Sequence, residues 1–290
     1  MAPDKRLPLN RGGFMILIDN VKDEELRDIR FVLTDMDETL TYQGRLQART
    51  YESLERLQDA GITVIPVTAA SAGWADQMAR MWPVDGVIAE NGGVFFTRKV
   101  GSHDVERIYW HEDEFLKIRQ RLTQIQRKIK NVLPWVKISD DQDFRLTSIA
   151  FKLPDSSVQT KQLVDELNKC DCKYTINNLW VLGWLGNYDK LVMSRRILSQ
   201  FYDLEEHDEQ ASVYYSGDSL NDASMFKFYK KSLGMSTVKR VAKDMPALPS
   251  WISNFPGGEG FVDGAHRILN AKDVIARDNN NSKRIHPLLG

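Results

Sequence analysis

The stretch Phe31-Val32-Leu33-Thr34-Asp35-Met36-Asp37-Glu38-Thr39-Leu40-Thr41 constrains the chain most. An apolar run of the length of one buried strand ends there in two carboxylates one residue apart. Open α/β sheets place their sites at the carboxyl ends of strands. Residues two apart in an extended segment point the same way, so Asp35 and Asp37 can meet one ligand if the strand geometry persists. Such a pair suits a nucleophile beside a general acid, with a hard cation to hold the charges. Alone, the residues read equally as a strand end followed by an Asx turn.

The stretches that follow repeat the rhythm of strand and helix. Gly44 breaks the chain, and Ala48 to Ala60 reads as a helix with Tyr51, Leu54 and Leu57 on one face and Gly61 as its stop. Ile62 to Val67 is a second apolar run. It ends at Thr68, ahead of Ala69-Ala70-Ser71 and a helix carrying Trp74, Met78 and Met81 on one side. A hydroxyl between a strand and a helix start can contact an anion; Thr68 or Ser71 alone reads as a helix cap. Gly86 to Ala89 is a third short strand and runs into Glu90-Asn91-Gly92-Gly93, a turn that uses residues tolerant of positive φ. Strands alternating with helices imply parallel pairing through crossovers.

From Val94 the pattern changes. Val94–97 and 107–110 flank a polar connection, as in a hairpin, and a charged helix over 113–130 turns Phe115, Ile118, Leu122 and Ile125 inward. Its charges read as a solvated face. A strand over 146–153, a helix over 158–167 and a strand pair over 174–176 and 179–185, joined at Asn177-Asn178, complete an α+β block. Trp180 and Trp184 lie near its exit, as core residues or as faces for a sugar ring.

The parallel rhythm resumes after Gly186. Tyr188-Asp189-Lys190 opens a helix to Phe201, and Ala211 to Tyr215 is a strand that breaks into Ser216-Gly217-Asp218-Ser219-Leu220-Asn221-Asp222 before a helix over 223–228. This second acidic set at a strand end can share a cation with Asp35 and Asp37; by itself it also reads as a turn with an N-cap from Asn221 or Asp222. Residues 232–235 suggest one more strand, and 257–261 a loop near the site. The expected fold class is α/β: a Rossmann-like doubly wound parallel sheet core with an inserted α+β cap domain. Residues 1–26 form an N-terminal extension, 27–95 and 186–275 the core, 96–185 the cap, and 276–290 a polar tail that frays.

Composition excludes some function classes. A formal net charge of -1 over 290 residues gives no basic bias of the kind that marks a nucleic-acid binder. Cys170 and Cys172 are too few and too close for a disulfide framework and have no neighbouring His, so they read as ordinary thiols in a reducing compartment. His103, His111, His207, His266 and His286 form no ligand spacing. Residues 1–11 lack the apolar stretch of a signal peptide, and 14–18 is too short to span a bilayer, so a cytoplasmic protein without a membrane partner is expected.

Taken together, Asp35-Met36-Asp37-Glu38-Thr39, Thr68 after its apolar run, Lys190, and Gly217-Asp218-Ser219-Leu220-Asn221-Asp222 resemble the four ordered motifs of the haloacid dehalogenase-like hydrolases. A cap between the second and third motifs, preceded by Asn91-Gly92, is similar to the subclass holding the Cof-type, sucrose-phosphate and mannosyl-phosphoglycerate phosphatases. The resemblance implies a magnesium-dependent phosphatase acting on a small phosphorylated metabolite, a phosphosugar first. Asp35 would be the nucleophile and Asp37 the acid that protonates the leaving alcohol and then activates water. The Asp35 carboxylate, the Asp37 main-chain carbonyl and the Asp218 carboxylate would hold Mg2+. Thr68 and Lys190 would bind the phosphoryl oxygens and Asn221 would help position them. Asp222 would partner the metal or Lys190, and Asn91 and Gly92 would contact substrate hydroxyls. A phosphomutase or phosphotransferase of the same fold, or a non-catalytic phosphometabolite sensor, are the alternatives.

Two departures stand out. Glu38 occupies a position where such phosphatases commonly have Gly, and its charge either selects against anionic substrates or points to water. Ala69-Ala70 follow Thr68 where the family usually continues Gly-Arg, so any contact from that arginine is missing.

Overall fold

The computed structural model describes residues 6–8, 14–99, 101–177 and 179–284, with side chains over 15–99, 101–177 and 179–273. Asn178 of the Asn177-Asn178 turn, His286, residues 285–290 of the expected tail and most of the first thirteen residues lie outside that description. The chain divides into two compact units.

The first unit holds Met1–Ile65, Leu204–Asp218 and Met225–Gly290. Its frame is a seven-stranded sheet in the order Arg6–Pro8, Phe14–Leu17, Trp251–Ile252, Ser232–Gly234, Val213–Gly217, Phe31–Thr34, Thr63–Pro66. Parallel pairing runs from Phe14–Leu17 through to Phe31–Thr34, and Arg6–Pro8 is antiparallel at the edge. Phe31–Thr34 is buried along its whole length, as a strand covered on both faces must be, and this explains its unbroken apolar run. Phe14–Leu17, within the expected N-terminal extension, is a strand of this sheet.

The helix Ala48–Asp59 forms where its periodicity predicts and ends at Gly61, whose φ of 73° is cheap only for glycine. It buries Leu54 and Leu57 completely, each a contribution of about 2 kcal/mol. The expected loop over 257–261 is instead the start of a long helix, Gly257–Arg284. Four glycines in its first eight residues hide the helical signal, yet they serve close packing. A Cβ at Gly258 would stand 2.4 Å from Thr50 Oγ1, and one at Gly264 2.4 Å from the Tyr214 hydroxyl. The same helix carries the polar residues 277–284 that were expected to fray. A helix already nucleated and packed at one end extends at little cost.

The second unit holds Pro66–Asp203 and Ser219–Ser224. Val87–Ala89, Val94–Arg98 and Val105–Tyr109 form an antiparallel sheet, and Ile88 also bridges Val67 in parallel. A second antiparallel sheet, in the order Ser148–Lys152, Trp180–Trp184, Lys173–Ile176, packs with the helices Phe115–Val132 and Ser157–Asn168. Leu122, Ile125, Ile129, Ile149, Phe151, Leu163 and Leu167 form their shared core. Of the helix residues expected inside, Leu122 and Ile125 are buried, Ile118 is partly so, and Phe115 instead stacks on Tyr109 with ring centroids 3.8 Å apart.

The helix Ala72–Met81 corrects the sequence reading. It buries Ala72, Ala75, Met78 and Ala79, while Trp74 and Met81 are 54% and 67% exposed. The alanines and Met78 form the inward face; on the exposed side a Cβ at Gly73 would stand 2.8 Å from Phe144 Cβ.

Candidate active site

The first unit brings together the acidic residues of its two central strands. Thr34 lies opposite Ser216 in the parallel register, so Asp35 and Asp218 follow at the carboxyl ends of adjacent strands. Backbone and hydroxyl groups pin that end: Asp35 N donates to Ser216 O at 2.8 Å, Ser216 Oγ donates to Thr34 Oγ1 at 2.7 Å, and Thr34 Oγ1 donates to Asp35 O at 3.0 Å. Asp35 is 5% exposed and Asp218 7%, and their carboxylate oxygens lie within 4.8 Å of one another. Burying two carboxylates so close is costly, and two hard oxygen donors are what Mg2+ or Ca2+ uses to offset it. The donor set therefore fits a divalent cation.

The strand ends at Thr34, so its extended geometry does not carry through to Asp37. The chain turns at Met36, whose carbonyl accepts from the backbone of Leu40 and Thr41, both at 2.9 Å, and half-buried Asp37 is placed by that turn. Glu38 sits in the turn with φ 56°, a left-handed conformation that glycine adopts without strain. Its Oε1 accepts from Gln43 N at 2.7 Å, so the carboxylate caps the next turn.

In the second unit, Lys190 is the first residue of the helix Lys190–Tyr202, which Asp189 caps by accepting from Val192 N. The Lys190 side chain has no exposure and its Nζ donates to Asp222 Oδ1 at 2.7 Å, a carboxylate equally buried. Asp222 Oδ2 accepts from Ser219 N, closing a capping box, and Ser219 Oγ donates to Asn221 Oδ1 at 2.7 Å. The pairing of Asp222 with Lys190 is one of the two partners expected for it.

Thr68 is fully buried. Its N–H donates to Ile88 O, its carbonyl accepts from Asn91 N, and its Oγ1 accepts from Ala70 N at 2.9 Å, which leaves the hydroxyl proton to be donated. Asn91 has φ 61°, and its buried Oδ1 has no partner among the described residues. Gly92 has φ 111°, and a Cβ there would stand 2.4 Å from Asp189 O. Asn91 and Asn221 line one cavity of about 400 Å³, together with Lys173, Thr175, Trp184 and Tyr188. Trp184 is 4% exposed and donates from Nε1 to Tyr188 O, so it serves both core and cavity wall. Burial pushes the Tyr188 hydroxyl far up, and the group stays neutral.

Sequence reasoning missed Glu90 and Arg145. Glu90 is fully buried and accepts five hydrogen bonds, and Arg145 pairs with Asp141 at 2.8 Å while donating to Ala69 O. The only signal was a charged residue closing an apolar strand. Cys170 and Cys172 are free and buried, and burial pushes the Cys172 thiol up to about 12. No helix among the described residues is long and apolar enough to cross a membrane.

Residues 32–133 match a family model described as haloacid dehalogenase-like hydrolase. No curated protein matches the chain by sequence. Among solved structures, the Thermoplasma acidophilum 0175 protein superposes with a TM-score of 0.64 at 17% identity, covering 84% of this chain and 99% of its own. The sucrose-phosphatase from Synechocystis sp. PCC6803, solved with sucrose and phosphate, gives 0.61 at 15% identity, covering 83% and 98%. A trehalose-6-phosphate phosphatase related protein gives 0.57 at 12%, covering 86% and 99%. These likenesses establish the fold, a doubly wound α/β sheet with additional cap-like strands.

Proposed function

We propose, on the premise that the chain is a haloacid dehalogenase-like hydrolase in its fold and over residues 32–133, that it is a magnesium-dependent phosphatase of small phosphorylated metabolites, phosphosugars first. The observation that carries this is the buried Asp35 and Asp218 pair at adjacent strand ends, with carboxylate oxygens within 4.8 Å. Its solved neighbours include proteins named for sucrose and trehalose 6-phosphate, which supports a phosphosugar.

In this reading an Asp35 carboxylate oxygen attacks phosphorus. The bond from phosphorus to the ester oxygen breaks, and Asp37 gives its proton to the departing alcohol. Water then attacks the aspartyl phosphate, Asp37 takes the water's proton, and the Asp35 bond to phosphorus breaks to release inorganic phosphate. Asp35, Asp218 and the Asp37 carbonyl would hold Mg2+, which supplies charge neutralisation for the phosphoryl group. Thr68, Lys190 and Asn221 are assigned to the phosphoryl oxygens, and Asn91 and Gly92 to substrate hydroxyls. Residues 27–95 and 186–275, with the strand Phe14–Leu17 that joins their sheet, are assigned to the catalytic core and 96–185 to the cap. The free thiols of Cys170 and Cys172 support a cytoplasmic setting.

The test is phosphate release from a panel of sugar phosphates with Mg2+ and no acceptor alcohol. Wild-type protein is expected to turn over, and Asp35→Asn to lose activity by about a thousandfold or more with its circular dichroism unchanged. Near-normal rates in Asp35→Asn would remove the nucleophile assignment. Turnover only with a sugar acceptor would favour a phosphotransferase.

A further inference from the structure

We propose that Glu90 is a positioning residue for the Thr68 hydroxyl, a role that rests on the assignment of Thr68 to the phosphoryl oxygens. Between Thr68 and Ala72 the chain turns from a strand into a helix, and partners from two later segments hold it. Asn91 N donates to Thr68 O at 3.0 Å, Glu90 N to Ala70 O at 3.1 Å, and Arg145 Nη1 to Ala69 O at 3.1 Å. The Glu90 carboxylate then ties the two segments together. Oε1 accepts from Ala72 N at 3.0 Å and Leu146 N at 2.7 Å; Oε2 accepts from Thr147 N at 2.8 Å, Thr147 Oγ1 at 3.0 Å and Ser148 Oγ at 2.7 Å.

Three features make this more than a buried structural contact. Glu90 and Asn91 both adopt positive φ, 51° and 61°, a conformation that costs a side-chain-bearing residue and persists only when its surroundings impose it. Three of the five donors are backbone amides, so only a group with two acceptor oxygens satisfies them; a neutral amide would turn a donor toward a donor. Finally, the one side-chain bond within the turn is that of Thr68 Oγ1 with Ala70 N, the very hydroxyl to be positioned, and the buried Ser71 Oγ has no partner among the described residues. Ala69 and Ala70 are small and buried, and Ala69 packs on Ala150 and Leu182. The grip therefore comes from Glu90 and Arg145, which fix Ala70 N where it orients Thr68 Oγ1.

The test is a double-mutant cycle on kcat/KM for a phosphate ester that the wild type hydrolyses, with melting temperature as the control for folding. Glu90→Gln is expected to lower kcat/KM about tenfold through misplacement of Thr68. In the Thr68→Val background, where no hydroxyl remains to be placed, Glu90→Gln should cost less than about twofold more. Should Glu90→Gln fold poorly, Ser148→Ala removes one donor to Oε2 and is expected to give about a threefold loss, again absent in Thr68→Val. A full loss in both backgrounds would overturn the proposal by showing that Glu90 acts independently of Thr68. If Thr68→Val were as active as wild type while Asp35→Asn was inactive, the Thr68 assignment would fall and the phosphatase reading would stand. If no variant differed because wild type had no activity, the phosphatase reading itself would fall.

Discussion

At the scale of single residues, conformation decides chemistry that composition leaves open. Glu38 illustrates this: its position calls for a left-handed backbone, which is why glycine suits it, and the carboxylate is turned to the Gln43 amide. Glu38→Gly exchanges relief of strain for loss of a half-exposed hydrogen bond and for chain entropy, so the net stability change is expected to stay within about 1 kcal/mol. Because the charge is already engaged, the ratio of kcat/KM for doubly and singly anionic phosphate esters should change less than about threefold. A larger shift toward the more anionic ester would restore the selecting role for Glu38. Asp35 and Asp218 could be read as acids at strand ends from their motifs. Glu90 could not, because a buried carboxylate is recognised by its donors, and those come from residues 72 and 146–148.

At the scale of elements, periodicity placed the five helices to which it gave bounds within two residues of them. It failed where small residues form the buried face, as in Ala72–Met81 with its alanines, and where glycines masked a helix, as in Gly257–Arg284. The helix Ala72–Met81 is clipped to the strand Val105–Tyr109 through Asp76, which accepts from Arg80 Nε at 2.7 Å and from Arg107 Nη2 at 3.1 Å. The Arg80 hydrogen bond holds the Asp76 carboxyl below its ordinary 3.8, with Arg107 adding to it against the opposing effect of partial burial. A depressed folded-state value means stability that is present above pH 3.8 and lost as pH falls through the folded-state value. Asp76→Asn is expected to lower stability by about 0.5–1 kcal/mol at pH 7, the arginines being well exposed. In paired denaturant titrations the difference should shrink below pH 3.8. A difference that persisted or grew in acid would mean the clip is not ionic.

At the scale of the whole molecule, binding of an ion to the folded chain alone must appear in its stability. EDTA is expected to abolish phosphate release and added Mg2+ to restore it. Mg2+ should also raise the melting temperature by an increment that grows with its concentration, and Asp218→Asn should lose both responses. Activity unaffected by EDTA would contradict the proposed metal dependence. The sequence by itself determined the α/β class, the strand that delivers Asp35, the second acidic strand end at Asp218 and the helix begun by Lys190, since each rests on a local pattern of apolar period, turn residues and charge. Only the tertiary structure decided that Phe14–Leu17 joins the sheet, that Asp222 pairs with Lys190 and that Glu90 and Arg145 grip the turn after Thr68. Those are choices among distant partners, made by register and by the need to satisfy buried polar groups, and no local pattern encodes them.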